Sequence, residues 1–365
     1  MKKWILSAAT VLATVLAIAL FVGLVDRSDN PQPTVPSSIQ AQTEPSAAPA
    51  ESTAAPVTVP PTTVPPTTVP PTTVPPTEAA TQPPTEAPTQ PTLAESSSGS
   101  ENDPGPYITA SEAFVYDWGS GELLYQEGGM DDTIYPASIT KLFTAYVALQ
   151  YLSEDTVVTC GEELWYVDPD SSLAEICYGN RLTVDMLVEG MLLPSGNDAA
   201  YALAAAAGRV IAGDPELHPE SAVDVFVEEM NFQAAANGMS GTHFSAPDGI
   251  HWDDHYTTMR DLITVAKLAL SEPSILNYSQ RSYDEVYYES GEYAYWVNTN
   301  KIINPDSYYY HPNCVGLKTG HTSYAGYCLL SAFWIDGRYV IVGVFGCPEY
   351  DSRFDDTLTL IDYYT

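Results

Sequence analysis

Positive charge is scarce in this chain. Lys and Arg number 13 against 47 Asp and Glu, a formal net charge of −34 over 365 residues. Beyond residue 104 the balance is 10 against 38, a net −28. So acidic a body repels nucleic acid and anionic membrane faces, which excludes both as partners of that part; otherwise the charge serves solubility. Cysteine is also sparse. Five residues, an odd number, are too few for a disulfide scaffold. Cys160 and Cys177 flank a hairpin-like excursion and are the pair expected if any oxidises. No cysteine has a His partner that would mark a thiol nucleophile. The six histidines show no HExxH or other metal spacing, so neither a metal nor a cofactor is expected.

Long apolar runs are confined to one place. Lys2 and Lys3 precede an uncharged, mostly apolar stretch from Trp4 to Val25, which Asp26 ends. At helical rise it spans ~33 Å, enough for a bilayer, with the basic end cytoplasmic. Residues 1–25 thus read as an N-terminal membrane anchor, with a cleaved signal sequence as the competing reading. Residues 26–104 read as a Pro/Thr-rich tether. Pro60–Thr77 repeats Pro-Pro-Thr-Thr-Val, a composition that cannot form a core and favours an extended polyproline conformation. Residues 105–365 have the texture of a folded domain and enough length to bury a core.

Within that domain, Ala113–Trp118 and Leu123–Tyr125, split by Gly119-Ser-Gly121, predict a β-hairpin. Helical periodicity covers Ser138–Tyr151, Thr183–Leu193, Gly196–Ile211, Pro219–Asn237, Thr258–Leu270 and Asp355–Tyr364. Tyr283–Tyr288 and Tyr293–Asn298 alternate like strands. Val315–Thr319, Tyr327–Ile335 and Tyr339–Phe345 predict three more, the last two joined at Asp336-Gly337. Strands at both ends with helices between imply one sheet assembled from distant segments and covered by helices.

Three short motifs carry chemistry when taken together. In Ser138-Ile-Thr-Lys141, Ser and Lys share a helix face, and a serine hydroxyl needs a base to become a nucleophile. Lys141 serves if its ammonium is destabilised, for which a helix N-terminus and a nearby Lys318 are the expected causes. Ser195-Gly196-Asn197 sits at a Pro-marked helix junction. There Ser195 can relay a proton and Asn197 can hold a substrate amide, although Ser and Asn also cap helices at such places. Lys318-Thr319-Gly320 on a strand offers a fixed cation, a hydroxyl donor and room for a backbone to approach.

This trio in this order resembles that of penicillin-binding proteins and β-lactamases. More widely, Tyr107–Thr365 is similar to the D-alanyl-D-alanine carboxypeptidases, the low-molecular-mass penicillin-binding proteins. The likeness extends to Pro136-Ala-Ser-Ile-Thr-Lys141, Ser195-Gly-Asn-Asp-Ala199, Thr242–Ile250 with His255-Tyr-Thr257, Asn298-Thr-Asn300 and Gly316–Gly326. Ser245-Ala246 and Ile250 depart mildly from it. The resemblance implies an α+β fold: three layers, α/β/α, around an antiparallel five-stranded sheet, with a helical lobe beside it. It implies a serine DD-peptidase domain over 105–365 that acts on peptidoglycan stem peptides and is acylated by β-lactams. Ser138 would attack, Lys141 accept the proton and Ser195 help deliver it. Asn197 would bind the peptide, and the N–H groups of Ser138 and His321 the oxyanion. Lys318, Thr319 and Arg353 would take the terminal carboxylate, with Gly320 leaving space.

Two rival readings remain. A β-lactamase would share the motifs, but no Glu-x-x-x-Asn loop follows Ser195, the stretch Phe226–Asn231 reads as helix, and no other carboxylate is evident to activate a deacylating water. A non-catalytic wall-binding sensor would keep the pocket and lose turnover.

Overall fold

A computed structural model of the chain describes residues 105–365 and a two-residue strand, β1 (Ala94–Glu95). The expected anchor (1–25) and almost all of the expected tether (26–104) lie outside the described residues. The main sheet runs in the order β1-β3-β2-β10-β9-β8. Its members are β2 (Glu112–Asp117), β3 (Glu122–Glu127), β8 (Cys314–Thr322), β9 (Gly326–Ile335) and β10 (Arg338–Cys347). These five pair antiparallel throughout, and β1 adds parallel to the β3 edge. The β9–β10 connection is the expected tight hairpin. Arg338 pairs with Ile335 across Asp336 and Gly337, both at positive φ (49° and 81°), the conformation that makes a two-residue loop follow the strand twist.

Period-2 alternation sorts the sheet residues into two cores. Val115, Leu329, Phe333, Val340 and Val342 face the C-terminal helix α7 (Ser352–Tyr364), meeting Phe354, Leu360 and Ile361. Their neighbours Phe114, Tyr116, Leu330, Ala332 and Ile341 face the opposite way, into the helices inserted between β3 and β8. Those are α1 (Thr140–Ala148), α2 (Val184–Leu192), α3 (Asn197–Ala212), α4 (Pro219–Ala236), α5 (Met259–Ser271) and α6 (Pro273–Ser279). Helix, sheet and helix form the three layers expected. Helix starts follow local chemistry: Thr183 and Thr258 accept from N–H groups three residues on to cap α2 and α5, and Pro219 opens α4.

Two expectations are corrected, and some elements are new. The helix expected over Ser138–Tyr151 begins as a 3-10 turn at Ala137–Ile139 and ends at Ala148. The strands β6 (Tyr283–Tyr287) and β7 (Tyr293–Val297) do not join the main sheet but form a separate hairpin. A second small pair, β4 (Val157–Thr159) with β5 (Arg181–Thr183), and the helix α6 were not foreseen. The β4–β5 pair and α6 are short, and short segments carry too few residues to establish a period; β6 and β7 were legible as strands, but alternation does not say which sheet a strand joins. The five cysteines carry no disulfide; Cys160 is buried and Cys177 exposed. Among the described residues, no helix is long and apolar enough to cross a membrane.

Candidate active site

The nucleophile candidate sits on strained backbone. Ala137, directly before Ser138, is held at φ 49°, where an L-residue costs about 1–2 kcal/mol. Its carbonyl faces the turn at Asp248–Ile250. Gly249, at φ 83°, approaches so closely that a Cβ there would stand 1.9 Å from Ala137 O. The 3-10 turn then feeds α1, placing Lys141 one turn beyond Ser138.

Lys141 is fully buried, and its Nζ meets three oxygens: Asn197 Oδ1 at 2.6 Å, Asp248 O at 2.8 Å and Ser138 Oγ at 2.8 Å. The first two can only accept, so each takes an N–H. The third direction is the one along which a neutral amine's lone pair accepts the Ser138 O–H. Burial drives the Lys141 pKa down to about 8, against the opposing pull of Asp248 and Asp198. The sequence reading assigned that shift to the helix terminus and Lys318; desolvation leads instead.

Below α1 the turn is fixed by polar contacts. Thr144 Oγ1 donates to Pro247 O at 2.6 Å. Ser245 N–H donates to His255 Nδ1 at 3.1 Å, which puts the ring proton on Nε2, so that Nε2–H donates to Thr140 Oγ1 at 2.9 Å. Burial lowers the His255 pKa to about 3, keeping the ring neutral.

One wall of the cleft is lined by Asp168, Asp170, Ser171 and Ser172, at the head of a segment that runs on to Ile176. Asp198, in the first turn of α3, accepts N–H groups from Ala174 and Ile176 at 2.8 and 2.9 Å. Asn197 N donates to Ser172 O at 2.8 Å, and Trp296 Nε1 to Ala174 O at 2.9 Å. The residues that open α3 therefore serve twice, toward Lys141 and toward this wall. Ser195 is buried in the α2–α3 turn at φ 68°. Its hydroxyl has no hydrogen bond to Ser138 or Lys141 among the described residues.

The opposite wall is β8. Lys318 is buried, and its pKa lies well below the usual lysine range, through desolvation first and then repulsion from Lys141 and Arg353. Its Nζ donates to Thr319 O at 3.1 Å, and Thr319 Oγ1 meets Thr299 Oγ1 at 2.6 Å. A Cβ at Gly320 would lie 2.9 Å from Pro136 O and 3.3 Å from Ser138 N, so only glycine lets the strand pass the nucleophile turn this closely. His321 is exposed and stacks on Tyr327 at 4.1 Å. Arg353 is buried with no acidic partner among the described residues. Its Nη1 donates to Gly320 O at 3.2 Å, and its guanidinium lies 4.4 Å from the Tyr350 ring and 4.9 Å from Phe354.

These walls enclose a cleft of about 400 Å³. Of the residues singled out in the sequence, Ser138, Asn197 and His321 line it; Lys141, Ser195, Lys318, Thr319, Gly320 and Arg353 are buried around it. Sequence reasoning missed Thr299 and the wall segment. It also missed the carboxylates of Asp168, Asp170 and Asp248, which line the cleft where none was evident before. Asp248-Gly249 was noted only within the Thr242–Ile250 likeness, which does not disclose that the Asp248 carbonyl will bind a lysine.

Comparison with known proteins agrees with this geometry. The family model for D-alanyl-D-alanine carboxypeptidases, peptidase family S11, matches residues 98–349. A D-alanyl-D-alanine carboxypeptidase of Haemophilus influenzae is 30% identical over 269 residues, covering 71% of this chain and 62% of the relative. One of Bacillus subtilis is 27% identical, covering 70% and 61%. The chain thus spans about three fifths of the length of these relatives. The crystal structure of the Streptomyces K15 DD-transpeptidase superposes with a TM-score of 0.63 at 29% identity, covering 71% of this chain and 98% of that one. Penicillin-binding protein D2 of Listeria monocytogenes, in its ampicillin-bound form, gives 0.58 at 30% identity, covering 72% and 99%. The chain belongs to the D-alanyl-D-alanine carboxypeptidase family, peptidase family S11.

Proposed function

We propose that this chain is a serine-type D-Ala-D-Ala carboxypeptidase that trims the terminal D-alanine from peptidoglycan stem peptides. The observation that carries the reading is the buried Lys141 Nζ, 2.8 Å from Ser138 Oγ and depressed to about 8. Neutral Lys141 takes the Oγ proton as Ser138 attacks the carbonyl between the two D-alanines. The oxyanion forms against the N–H groups of Ser138 and His321, which the close passage of Gly320 brings together. The C–N bond breaks as the leaving nitrogen gains a proton from Lys141 by way of Ser195, and D-alanine departs. Water then attacks the Ser138 ester and frees the shortened peptide. The substrate's terminal carboxylate pairs with Lys318 and Arg353, neither of which has an acidic partner among the described residues, and accepts from Thr319. Asn197 holds the peptide amide as well as Lys141.

A β-lactam offers a strained amide and a carboxylate in the same arrangement, so it acylates the same serine. Transfer of the acyl group to an amine instead of water is open to the same intermediate. The substrate lies outside the cytoplasm; residues 1–25 as anchor, or as a cleaved leader, and residues 26–104 as tether fit that location. The test is release of D-alanine from diacetyl-L-lysyl-D-alanyl-D-alanine. Release by the wild type and none by Ser138→Ala supports the reading; no release by either overturns it.

A further inference from the structure

The β6–β7 hairpin has an outer face that nothing among the described residues covers. Its inner face is packed: Val286, Tyr288 and Trp296 are buried, with Trp296 against Gly190 and Ala174. The alternate residues Tyr283, Tyr287, Tyr293, Tyr295 and Val297 point away and are 49–66% exposed. Register sets Tyr287 opposite Tyr293 and Tyr283 opposite Val297, with Glu285 opposite Tyr295 between them. Ring centroids are 5.1 Å apart for Tyr287–Tyr293 and 5.5 Å for Tyr283–Tyr295. Four tyrosines thus pave a strip about 13 Å long, four residues at strand rise. The hairpin is already anchored by its inner face, so the outer rings are not required for packing, and contiguous exposed aromatic surface marks an interaction site.

We infer that this tyrosine strip is a docking surface for the glycan strand that carries the stem peptides; the inference rests on the carboxypeptidase reading. Three observations select that occupant. The Val297 end of the strip leads toward the site: two residues on, the Thr299 hydroxyl meets that of Thr319, which is buried beside the cleft. A polymer lying on the strip would therefore present its attached peptides beside the site. The charges around the strip are acidic on balance: Arg281 is paired with Asp284 and Glu189 and Arg181 lies beside Glu289, while Glu285 stands in the strip and Glu292 at its turn, which disfavours polyanions and leaves neutral polymers. Finally, an exposed carboxylate sits within the aromatic face itself. Glu285 would be buried unpaired if a second copy of this hairpin packed there. It is well placed to accept from sugar hydroxyl and acetamido donors while the apolar faces of the pyranose rings stack on the phenols.

The test uses the full chain and glycan strands stripped of their peptides. Tyr287→Thr with Tyr293→Thr removes two rings while keeping residues that favour strands; Tyr287→Phe with Tyr293→Phe keeps the rings. The threonine pair should lose at least about tenfold in glycan affinity and retain D-alanine release from the diacetyl tripeptide, which reports an intact fold and site. The phenylalanine pair should keep most of the binding. Wild type that does not bind the stripped glycan, a threonine pair that binds it equally, or a wild-type dimer that the substitutions dissociate with glycan affinity unchanged would each overturn the inference. Glycan binding is read without turnover, so an enzyme inactive on the tripeptide would overturn the carboxypeptidase reading and leave this result standing.

Discussion

Asn197 Oδ1 accepts from Lys141 Nζ at 2.6 Å, the shortest of the three contacts that the lysine makes. A neutral amide at this place orients the amine without stabilising its charge. A carboxylate here would stabilise the ammonium by about 1–3 pKa units. Acylation of the wild type should rise with pH, close to tenfold per unit below about 8, and level off above it as Lys141 loses its proton. Asn197→Asp should displace that limb to higher pH and lower the rate at neutral pH by about tenfold or more. Acylation rates measured across pH check both; an unmoved limb in the variant would mean that Lys141 is not the titrating base.

Gly249 sets the distance between the nucleophile turn and the loop that supplies Asp248 O. Gly249→Ala combines a positive φ with a Cβ placed 1.9 Å from Ala137 O, so backbone must shift. Strain and overpacking of this kind cost about 2–5 kcal/mol together, or about 5–15 °C in Tm. Because Ser138 and Asp248 move with the turn, acylation should fall by about 100-fold even well below the melting temperature. Thermal unfolding and acylation rates on the same sample check this; a stable variant with normal acylation would show that the turn tolerates the methyl group.

Arg353 is held by Gly320 O and by the faces of Tyr350 and Phe354, with no carboxylate among the described residues to neutralise it. That leaves its charge for a ligand. Arg353→Ala should reduce kcat/KM on a free-acid tripeptide by about 10- to 150-fold, the worth of a charge-assisted contact of about 1.5–3 kcal/mol. The C-terminal amide of the same peptide should be far less affected. Equal losses on both would assign Arg353 to the support of β8 and α7.

The parts of this architecture that the sequence disclosed are those with local signatures. Alternation revealed β2, β9 and β10, and Asp336-Gly337 revealed their hairpin. Long periodic stretches revealed α3, α4 and α5 to within a residue or two. The Ser138, Ser195 and Lys318 motifs were legible because nucleophile, base and carboxylate site each need particular side chains. What stayed hidden depends on contacts between distant segments. Ala137 has no local reason for a positive φ, and its carbonyl lies against Gly249, more than a hundred residues away. The cleft wall at Asp168–Ile176 has no periodicity and is shaped by Asp198 and Trp296. The cause of the low Lys141 pKa was misassigned for the same reason, since burial is a property of the packed molecule.

The most direct test of the central claim is intact mass after brief exposure to benzylpenicillin. Asp168, Asp170 and Asp248 line the cleft. Asp248 is buried, and its Oδ1 accepts from Ile250 N–H at 3.0 Å, which commits that oxygen to the turn rather than to a water. The tethered leaving amine of an opened β-lactam also blocks water from the ester. Wild type should therefore show a single penicilloyl adduct on Ser138 that outlasts many turnovers of the tripeptide, and Ser138→Ala should show none. An adduct that persists in Ser138→Ala, or rapid multiple turnover of penicillin by the wild type, would contradict the account.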